Sequence, residues 1–190
     1  MNKQKTLDIV NEEIINCKIC PIGKSGMPVV GEGNPDADVV FIGEAPGKKE
    51  AAAGRPFIGR SGQLLRSLIR EIGLKEDEVY ITSPVKYLPN GKDGTPGGTP
   101  KPSDIAHGRI HLMKQLAVIK PKIVILLGRV AAEGVLERKV AVASEHGHVI
   151  EEKDGIKYFL TIHPAAALRF PLKYKPLLKD DFNKLITLLN

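Results

Sequence analysis

The stretch DVVFIGEAPG at residues 38–47 joins a short apolar run to a turn that contains one proline and two glycines. A continuous apolar run bounded by turn residues predicts a β-strand that is covered on both faces. The runs VYIT at residues 79–82 and KIVILLG at residues 122–128 predict two more strands of this kind. Because segments with helical periodicity alternate with these strands, we expect a three-layer α/β/α fold with a central, largely parallel sheet.

Four segments carry apolar residues at the three- and four-residue steps of an amphipathic helix. The first is expected to place Cys17 on its buried face, and Gly73 is expected to end the second. Ser103 is predicted as the N-cap of the third, which ends before Pro121. The four stripes consist of Leu7, Val10, Ile14 and Cys17; Leu64, Leu65, Leu68, Ile69 and Ile72; Ile105, Leu112, Leu116 and Ile119; and Leu178, Phe182, Leu185 and Leu189.

Turn residues indicate how these elements are connected. Asp154-Gly155 predicts a hairpin between two strands in residues 148–162, with the second strand ending at His163. Residues 43–62 are predicted to form one long loop. The stretch YLPNGKDGTPGGTPKP at residues 87–102 lacks apolar periodicity, which predicts either a binding loop or a disordered flap.

Length and charge narrow the class of protein. A chain of 190 residues has the size of one domain, so we expect residues 1–190 to form a single domain, and we expect a monomer. The sequence lacks both an apolar run of the ~20 residues that a membrane helix needs and the apolar core of a signal peptide, which predicts a cytoplasmic protein. A net charge of +6 favours a polyanionic partner, although many unrelated intracellular proteins are equally basic.

The first chemically informative segment follows the strand that ends at Gly43. Its turn should lie at the carboxyl edge of the sheet, where α/β folds bind ligands. Phe57 can offer a ring face on which a flat heterocycle stacks. Glu44 and Glu50 can orient water or stabilise a positively charged sugar. The alternative is that Phe57 belongs to the core and both glutamates are solvated.

The second informative segment is TIHPAAALR at residues 161–169. His163 follows a predicted strand and precedes Pro164, which restricts the histidine backbone to an extended conformation. Its side chain is therefore expected to have a fixed direction at the same edge of the sheet. The alternative is a structural histidine whose hydrogen bonds are satisfied inside the fold.

The two segments, GEAPGKKEAAAGRPFIGRSGQLL at residues 43–65 and TIHPAAALR, resemble the signature motifs of the uracil-DNA glycosylase superfamily, most closely its thermostable iron-sulfur branch, family 4. The resemblance implies a DNA repair enzyme that flips a deaminated base, uracil above all, out of DNA and hydrolyses its N-glycosidic bond. It implies that Phe57 stacks on the flipped base and that His163 donates a hydrogen bond to the carbonyl that becomes anionic.

The resemblance also assigns roles to individual positions. Leu168 would fill the gap that the extruded base leaves, and Arg169 would neutralise a phosphate of the DNA partner. The implied residues are Glu44, Glu50 and His163 for catalysis; Ala45, Pro46, Gly47, Phe57 and Ser83 for substrate binding; Leu168 and Arg169 for DNA binding; and Cys17 and Cys20 for metal binding.

The chain departs from the family pattern at the position that reads the base. Family 4 carries an asparagine after the YIT strand, whereas this chain has Ser83. One hydroxyl cannot present the donor and acceptor pattern of an amide. We therefore expect looser discrimination among deaminated bases, with hypoxanthine and xanthine as further candidate substrates.

The second departure concerns the cluster cysteines. Cys17 and Cys20 match the first pair, but Tyr87 and Gly108 occupy the other two positions, and a four-iron cluster needs four thiolates. We expect no cofactor. The open alternatives are an iron-sulfur cluster completed by other ligands, zinc held by the two cysteines with His107 or His111, and a reduced dithiol.

Two further functions compete with the glycosylase. A catalytically weak or inactive DNA-binding relative would explain the departures, and the basic charge also permits a protein that acts on free nucleotides or RNA. The tripeptide Arg109-Ile110-His111 resembles one that captures uracil covalently in a related branch, but here it falls inside a predicted helix. Covalent capture is therefore not expected.

Overall fold

The computed structural model describes residues 2–189, and its centre is a six-stranded sheet. The helices are α1 (Lys3–Ile15), α2 (Lys48–Ala53), α3 (Arg60–Glu71), α4 (Pro102–Ile119), α5 (Arg129–Leu136), α6 (Val142–Glu145), α7 (Pro164–Arg169) and α8 (Pro171–Leu189). The strands are β1 (Lys24–Ser25), β2 (Glu32–Gly33), β3 (Val39–Ile42), β4 (Val79–Thr82), β5 (Leu88–Pro89), β6 (Ile123–Leu127), β7 (His148–Lys153) and β8 (Ile156–Thr161). Across residues 2–189, none of the helices is long and apolar enough to cross a membrane.

The sheet has the strand order β2-β4-β3-β6-β8-β7. The four central strands are parallel, and β2 and β7 are antiparallel edge strands. Parallel alignment brings the carboxyl ends of β4, β3, β6 and β8 to one edge, because Ile42 pairs with both Thr82 and Leu126 while Leu127 pairs with Thr161. The residues that follow these four strands therefore share that edge.

Alternate residues of the central strands point to two separate apolar clusters. Val40, Ile42, Val124 and Leu126 pack with α1, α4 and α5 on one face. The side chains on the other face pack with α3, α7 and α8; they are Val39, Phe41, Ile123, Ile125 and Leu127. This arrangement of helices on both faces confirms the expected three-layer α/β/α fold.

Several predicted elements are confirmed, and two helix boundaries differ. The hairpin turns at Asp154 and Gly155, which both have positive φ as a two-residue turn of this kind requires. Helix α1 ends at Ile15 with Asn16 as its C-cap, so Cys17 lies beyond the helix instead of on its buried face. Ser103 is not the N-cap of α4. The cap is Lys101, because Pro102 suits the first helical position, which needs no N–H, and because Asp104 accepts a bond from the Lys101 N–H.

The two predicted loops contain more structure than expected. Residues 43–62 include helix α2, whose KKEAAA sequence has high helix propensity and ends at Gly54 with φ 67°. Residues 87–102 include β5, which pairs with β1, and the Pro89 carbonyl accepts bonds from Gly97 and Gly98. Residues 88–98 are therefore held by backbone hydrogen bonds, which favours the binding-loop alternative over the disordered flap.

Candidate active site

Five polar or glycine residues follow the four parallel strands at the shared sheet edge. Gly43 and Glu44 follow β3, Ser83 follows β4, Gly128 follows β6, and His163 lies two residues beyond β8. Strand β8 ends at Thr161, earlier than predicted, because His163 serves as the N-cap of α7 with Pro164 at the first helical position. The sheet topology therefore brings the two sequence motifs together.

Phe57 is held in an unusual backbone conformation at one wall of the site. Its φ is 51°, a value that a bulky residue adopts only when its surroundings enforce it. Gly62 permits this close packing, since a Cβ at Gly62 would lie 2.0 Å from the Phe57 carbonyl. Arg66 donates to the Phe57 carbonyl at 3.0 Å and to the Pro56 carbonyl at 3.0 Å. The backbone that carries the Phe57 ring is thus held in place from two sides.

Glu50 lies behind the Phe57 loop and is 8% exposed. Its Oε1 accepts hydrogen bonds from the Ile58 N–H at 2.9 Å and the Gly59 N–H at 2.6 Å. Charge-assisted bonds of this type are stronger than those between neutral groups. The Glu50 carboxylate therefore anchors the loop that carries Phe57, and it also lines the site cavity, so its predicted contact with water or sugar stays a prediction.

His163 faces Phe57 across the site, with ring centroids 6.2 Å apart and a tilt of 32°. Its Nδ1 accepts the Ala165 N–H at 3.0 Å, so in the neutral ring the proton resides on Nε2, which is left as a donor. Burial lowers the pKa of His163 to about 4. At neutral pH the side chain is therefore an oriented, uncharged hydrogen-bond donor.

A cavity of about 330 Å³, here called the site cavity, lies between these two rings. Leu88, Pro89, Gly97 and Gly98 contribute to its wall, which sequence reasoning anticipated only as a binding-loop alternative for residues 87–102. Every residue predicted for catalysis or substrate binding lines it, namely Glu44, Ala45, Pro46, Gly47, Glu50, Phe57, Ser83 and His163.

Glu44 and Ser83 lie on the wall with different surroundings. Burial raises the pKa of the Glu44 carboxyl, and the charge of Arg129 opposes that rise. Ser83 is buried, and its hydroxyl donates to the Val85 carbonyl at 2.9 Å. Since the only proton of the hydroxyl is used inside the protein, Ser83 retains acceptor capacity toward a ligand but lacks the donor that the sequence suggested.

A second cavity of about 570 Å³, the outer cavity, shares Glu44, His163 and Ala165 with the site cavity. Arg129, Arg169 and Lys173 add positive charge to its lining. Leu168, the predicted wedge, is half-buried within α7, while Arg169 is exposed. The most exposed apolar side chains beside them are Phe170 and Leu172, which are 51% and 97% exposed.

Comparison with known proteins gives a consistent result. The family described as the Uracil DNA glycosylase superfamily matches residues 30–187. The chain is 36% identical to the Type-4 uracil-DNA glycosylase of Thermotoga maritima, over 88% of this chain and 85% of the relative. It is 35% identical to the Type-4 uracil-DNA glycosylase of Archaeoglobus fulgidus, over 94% of this chain and 88% of the relative. The chain belongs to the uracil-DNA glycosylase superfamily, in its type-4 branch.

For a type-4 member, the chain has an unusual set of potential metal ligands. One ligand atom from each of Cys17, Cys20, His107 and His111 lies within 4.8 Å of the others, and we call these four residues the Cys/His cluster. A four-iron cluster places its four ligands on separate iron atoms, whereas atoms this close together suit one ion. In addition, a Cβ at Gly108 would lie 2.0 Å from the Pro84 carbonyl, so a cysteine does not fit there without backbone movement. The residues present do not fit a four-cysteine cluster.

Sequence reasoning missed a buried lysine behind Ser83. The Lys86 ammonium donates to Thr82 Oγ1 at 2.7 Å and to Gln115 Oε1 at 2.8 Å. Burial lowers the pKa of Lys86 to about 7. The only sequence signal was a lysine between the apolar residues Val85 and Tyr87. In this superfamily member, the lysine ties the end of β4, next to Ser83, to helix α4.

Proposed function

We propose that the protein is a DNA repair glycosylase that removes uracil from DNA by hydrolysing the N-glycosidic bond. The observation that carries the proposal is the pair formed by Phe57 and His163 across the site cavity, 6.2 Å between ring centroids. An aromatic face opposite an oriented hydrogen-bond donor suits a flat base whose carbonyl gains negative charge during the reaction. The Type-4 uracil-DNA glycosylases among the relatives support the same activity.

Catalysis in this proposal depends on the neutral His163. As the glycosidic bond breaks, electrons move to the base and negative charge develops on its carbonyl oxygen. The Nε2–H donor is already oriented, because Nδ1 is held by the Ala165 N–H, so little reorganisation is required at the moment of reaction. A neutral donor of this kind stabilises the leaving base more in the transition state than in the ground state.

Glu44 serves the sugar side of the bond. Its carboxylate stabilises the positive charge that develops on the sugar and orients the attacking water. Because burial raises the pKa of the Glu44 carboxyl, the acid limb of the pH profile should lie above the usual range of a glutamate. Protonation of Glu44 removes its charge, so activity should fall as the pH falls through that raised pKa.

DNA would approach over the outer cavity. Arg169 and Lys173 lie there to contact phosphates, and the net charge of +6 favours association with a polyanion. The half-buried Leu168 and the exposed Leu172 are the apolar groups available to fill the space of a flipped base. We also propose that the enzyme is a monomer, which size-exclusion chromatography would test. We propose further that it acts in the cytoplasm, which cell fractionation would test.

Base specificity is the point at which this protein should differ from its relatives. Because the Ser83 hydroxyl donates to the Val85 carbonyl, it offers no donor to the base edge. We expect hypoxanthine or xanthine to be removed more readily, relative to uracil, than by an enzyme with an amide at this position. The inactive DNA-binding alternative is less well supported, since Glu44, Phe57 and His163 all line one cavity.

The test is incubation of the purified protein with duplexes and single strands that contain uracil, hypoxanthine or xanthine. Abasic sites are scored by alkaline strand cleavage. Removal of uracil that Glu44→Gln and His163→Ala both reduce would support the proposal. Binding of every DNA without abasic sites would instead favour the inactive relative.

The proposal also includes the absence of a four-iron cluster. Two observations support it. The Cys/His cluster contains two thiols where a four-iron cluster needs four, and a side chain at Gly108 would clash with the Pro84 carbonyl. Purified protein should be colourless, without the broad visible absorption of an iron-sulfur cluster. A brown protein with about four irons per chain would contradict this part of the proposal.

A further inference from the structure

The Cys/His cluster combines two short sequence pairs whose internal spacing suits a metal site. Cys17 and Cys20 form a C-x2-C pair, and His107 and His111 form an H-x3-H pair. Both spacings fall within the ranges found in structural Cys2His2 zinc sites. Residues at i and i+4 share one face of a helix, so α4 presents both imidazoles on the same side.

The pairing of α1 with α4 brings the two halves together. The helices run antiparallel, as the contacts from Asn11 to Gln115 and from Glu13 to Lys114 indicate. Continuing this register past the end of α1 places Cys17 opposite the first turns of α4, and its Sγ lies 3.2 Å from His107 Nε2. Backbone packing thus positions all four donors independently of any ion.

The surroundings of His111 are a second observation that points to a ligand at the Cys/His cluster. The side chain is 7% exposed, and among residues 2–189 neither ring nitrogen has a hydrogen-bond partner. Burying an imidazole with both nitrogens unsatisfied is costly, and native proteins rarely leave such groups unpaired. A metal ion would accept one nitrogen as a ligand and remove part of that cost.

We propose that Cys17, Cys20, His107 and His111 bind one zinc ion. Zn–S bonds of about 2.3 Å and Zn–N bonds of about 2.0 Å give tetrahedral edges of roughly 3.3–3.8 Å between ligand atoms. The observed donor atoms, within 4.8 Å of one another, reach that geometry by shifts of about 1 Å. Two thiolates and two neutral imidazoles are a donor set that favours zinc over calcium, magnesium or manganese.

Binding requires no oxidant or reductant. The two thiol protons leave to solvent as the Zn–S bonds form, the imidazoles bind in their neutral form, and two thiolates balance the charge of the ion. The ion ties the segment after α1 to the beginning of α4. That segment continues into β1, which pairs with β5, and β5 supplies Leu88 and Pro89 to the wall of the site cavity. The zinc site would therefore stabilise the fold around the site without touching the substrate.

The proposal does not depend on glycosylase activity, and its first test is metal analysis. The full chain is expressed in medium that contains both zinc and iron, purified without a histidine tag or a chelator, and measured by mass spectrometry. We expect about one zinc and substoichiometric iron per chain. About four irons per chain would overturn the proposal.

The second test assigns the ligands. Cys17→Ser and His111→Gln should each reduce the zinc content to background, whereas His148→Ala, a change at an exposed histidine of β7, should leave it unchanged. Circular dichroism establishes whether each variant is folded. Zinc content that is equal in the wild type and in both ligand variants would place the ion elsewhere and overturn the assignment.

The third test uses wild-type protein alone and so remains decisive if a variant fails to fold. Zinc is removed with a chelator, and the apoprotein is titrated with Co²⁺, which gives intense visible absorption when thiolates hold it tetrahedrally. We expect this spectrum to saturate at about one equivalent and zinc to abolish it. Zinc should also raise the melting temperature of the apoprotein by about 5–10 °C. Absence of both the spectrum and the shift would overturn the proposal.

Discussion

The site cavity and the Cys/His cluster differ in how their residues are held. In the cavity, local backbone bonds orient the chemical groups: the Ala165 N–H fixes His163, and Glu50 fixes the loop of Phe57. In the cluster, two segments about 90 residues apart meet through the packing of α1 on α4. Local backbone bonds therefore orient the groups of the cavity once the sheet has brought them to one edge, whereas the two halves of the cluster meet only through the packing of one helix on another.

This difference suggests distinct experimental signatures. Changes in the site cavity should reduce turnover while leaving the fold intact. Changes in the Cys/His cluster should instead lower the melting temperature, with any loss of turnover following from the weaker fold.

The largest effect is expected for His163→Ala. Turnover should fall by ~10²–10³, because the Nε2–H donor acts on charge that develops only in the transition state. DNA affinity should be nearly unchanged. Single-turnover kinetics and fluorescence anisotropy measure the two quantities, and His148→Ala is the matched control at an exposed histidine. Equal losses in binding and turnover would make His163 a structural residue.

A smaller effect is expected for Phe57. Phe57→Ala should reduce kcat/KM by about 5- to 150-fold, since stacking of a base on an aromatic ring contributes about 1–3 kcal/mol. Phe57→Leu distinguishes the effect of aromatic stacking from the effect of side-chain volume, because leucine fills much of the same space without a π face. If the leucine variant retains full activity, the wall requires only an apolar residue and the stacking role is wrong.

Ser83→Asn should change specificity by about tenfold in favour of uracil over hypoxanthine. A pair of well-placed hydrogen bonds is worth roughly 1–3 kcal/mol, and the asparagine amide supplies the donors that the Ser83 hydroxyl lacks. Competition assays with both lesions measure the ratio, with the exposed Ser144→Asn as control. An unchanged ratio would show that position 83 does not read the base.

The smallest effect concerns stability at low pH. Because burial lowers the pKa of His163 from 6.5 to about 4, the folded state favours the neutral ring. This contribution is present above pH 6.5 and is lost as the pH falls through about 4, since the unfolded chain binds the proton first. We expect this contribution to the free energy of unfolding to be about 1–2 kcal/mol. It is smaller than the energy equivalent of the full pKa shift because the His163 side chain is partly exposed to solvent.

Urea unfolding at several pH values checks this prediction. The free energy of unfolding of His163→Gln should decline less between pH 6.5 and 4 than that of the wild type, and subtracting the two curves removes the contributions of all other groups. Parallel curves would show that His163 is solvated in the folded protein.

The sequence by itself determined the α/β architecture and the catalytic and substrate-binding candidates that line the site cavity. Short apolar runs bounded by turn residues, such as KIVILLG, favour buried strands, and Pro164 after His163 restricts the histidine backbone whatever the rest of the fold does. Topology then requires that residues following parallel strands meet at one sheet edge. The apolar runs and the proline are local constraints that the sequence reveals directly, whereas the strand order that brings these residues to one edge is a property of the assembled sheet.

Only the tertiary structure decided which partners each group has. It placed Glu50 on the Ile58 and Gly59 amides, the Ser83 hydroxyl on the Val85 carbonyl, and His111 beside Cys17 and Cys20. Helix boundaries also shifted, because capping by Lys101 and Asp104 competes with capping by Ser103. Side-chain partners depend on contacts between residues distant in sequence, and the periodicity of a segment carries no information about the element that will pack against it.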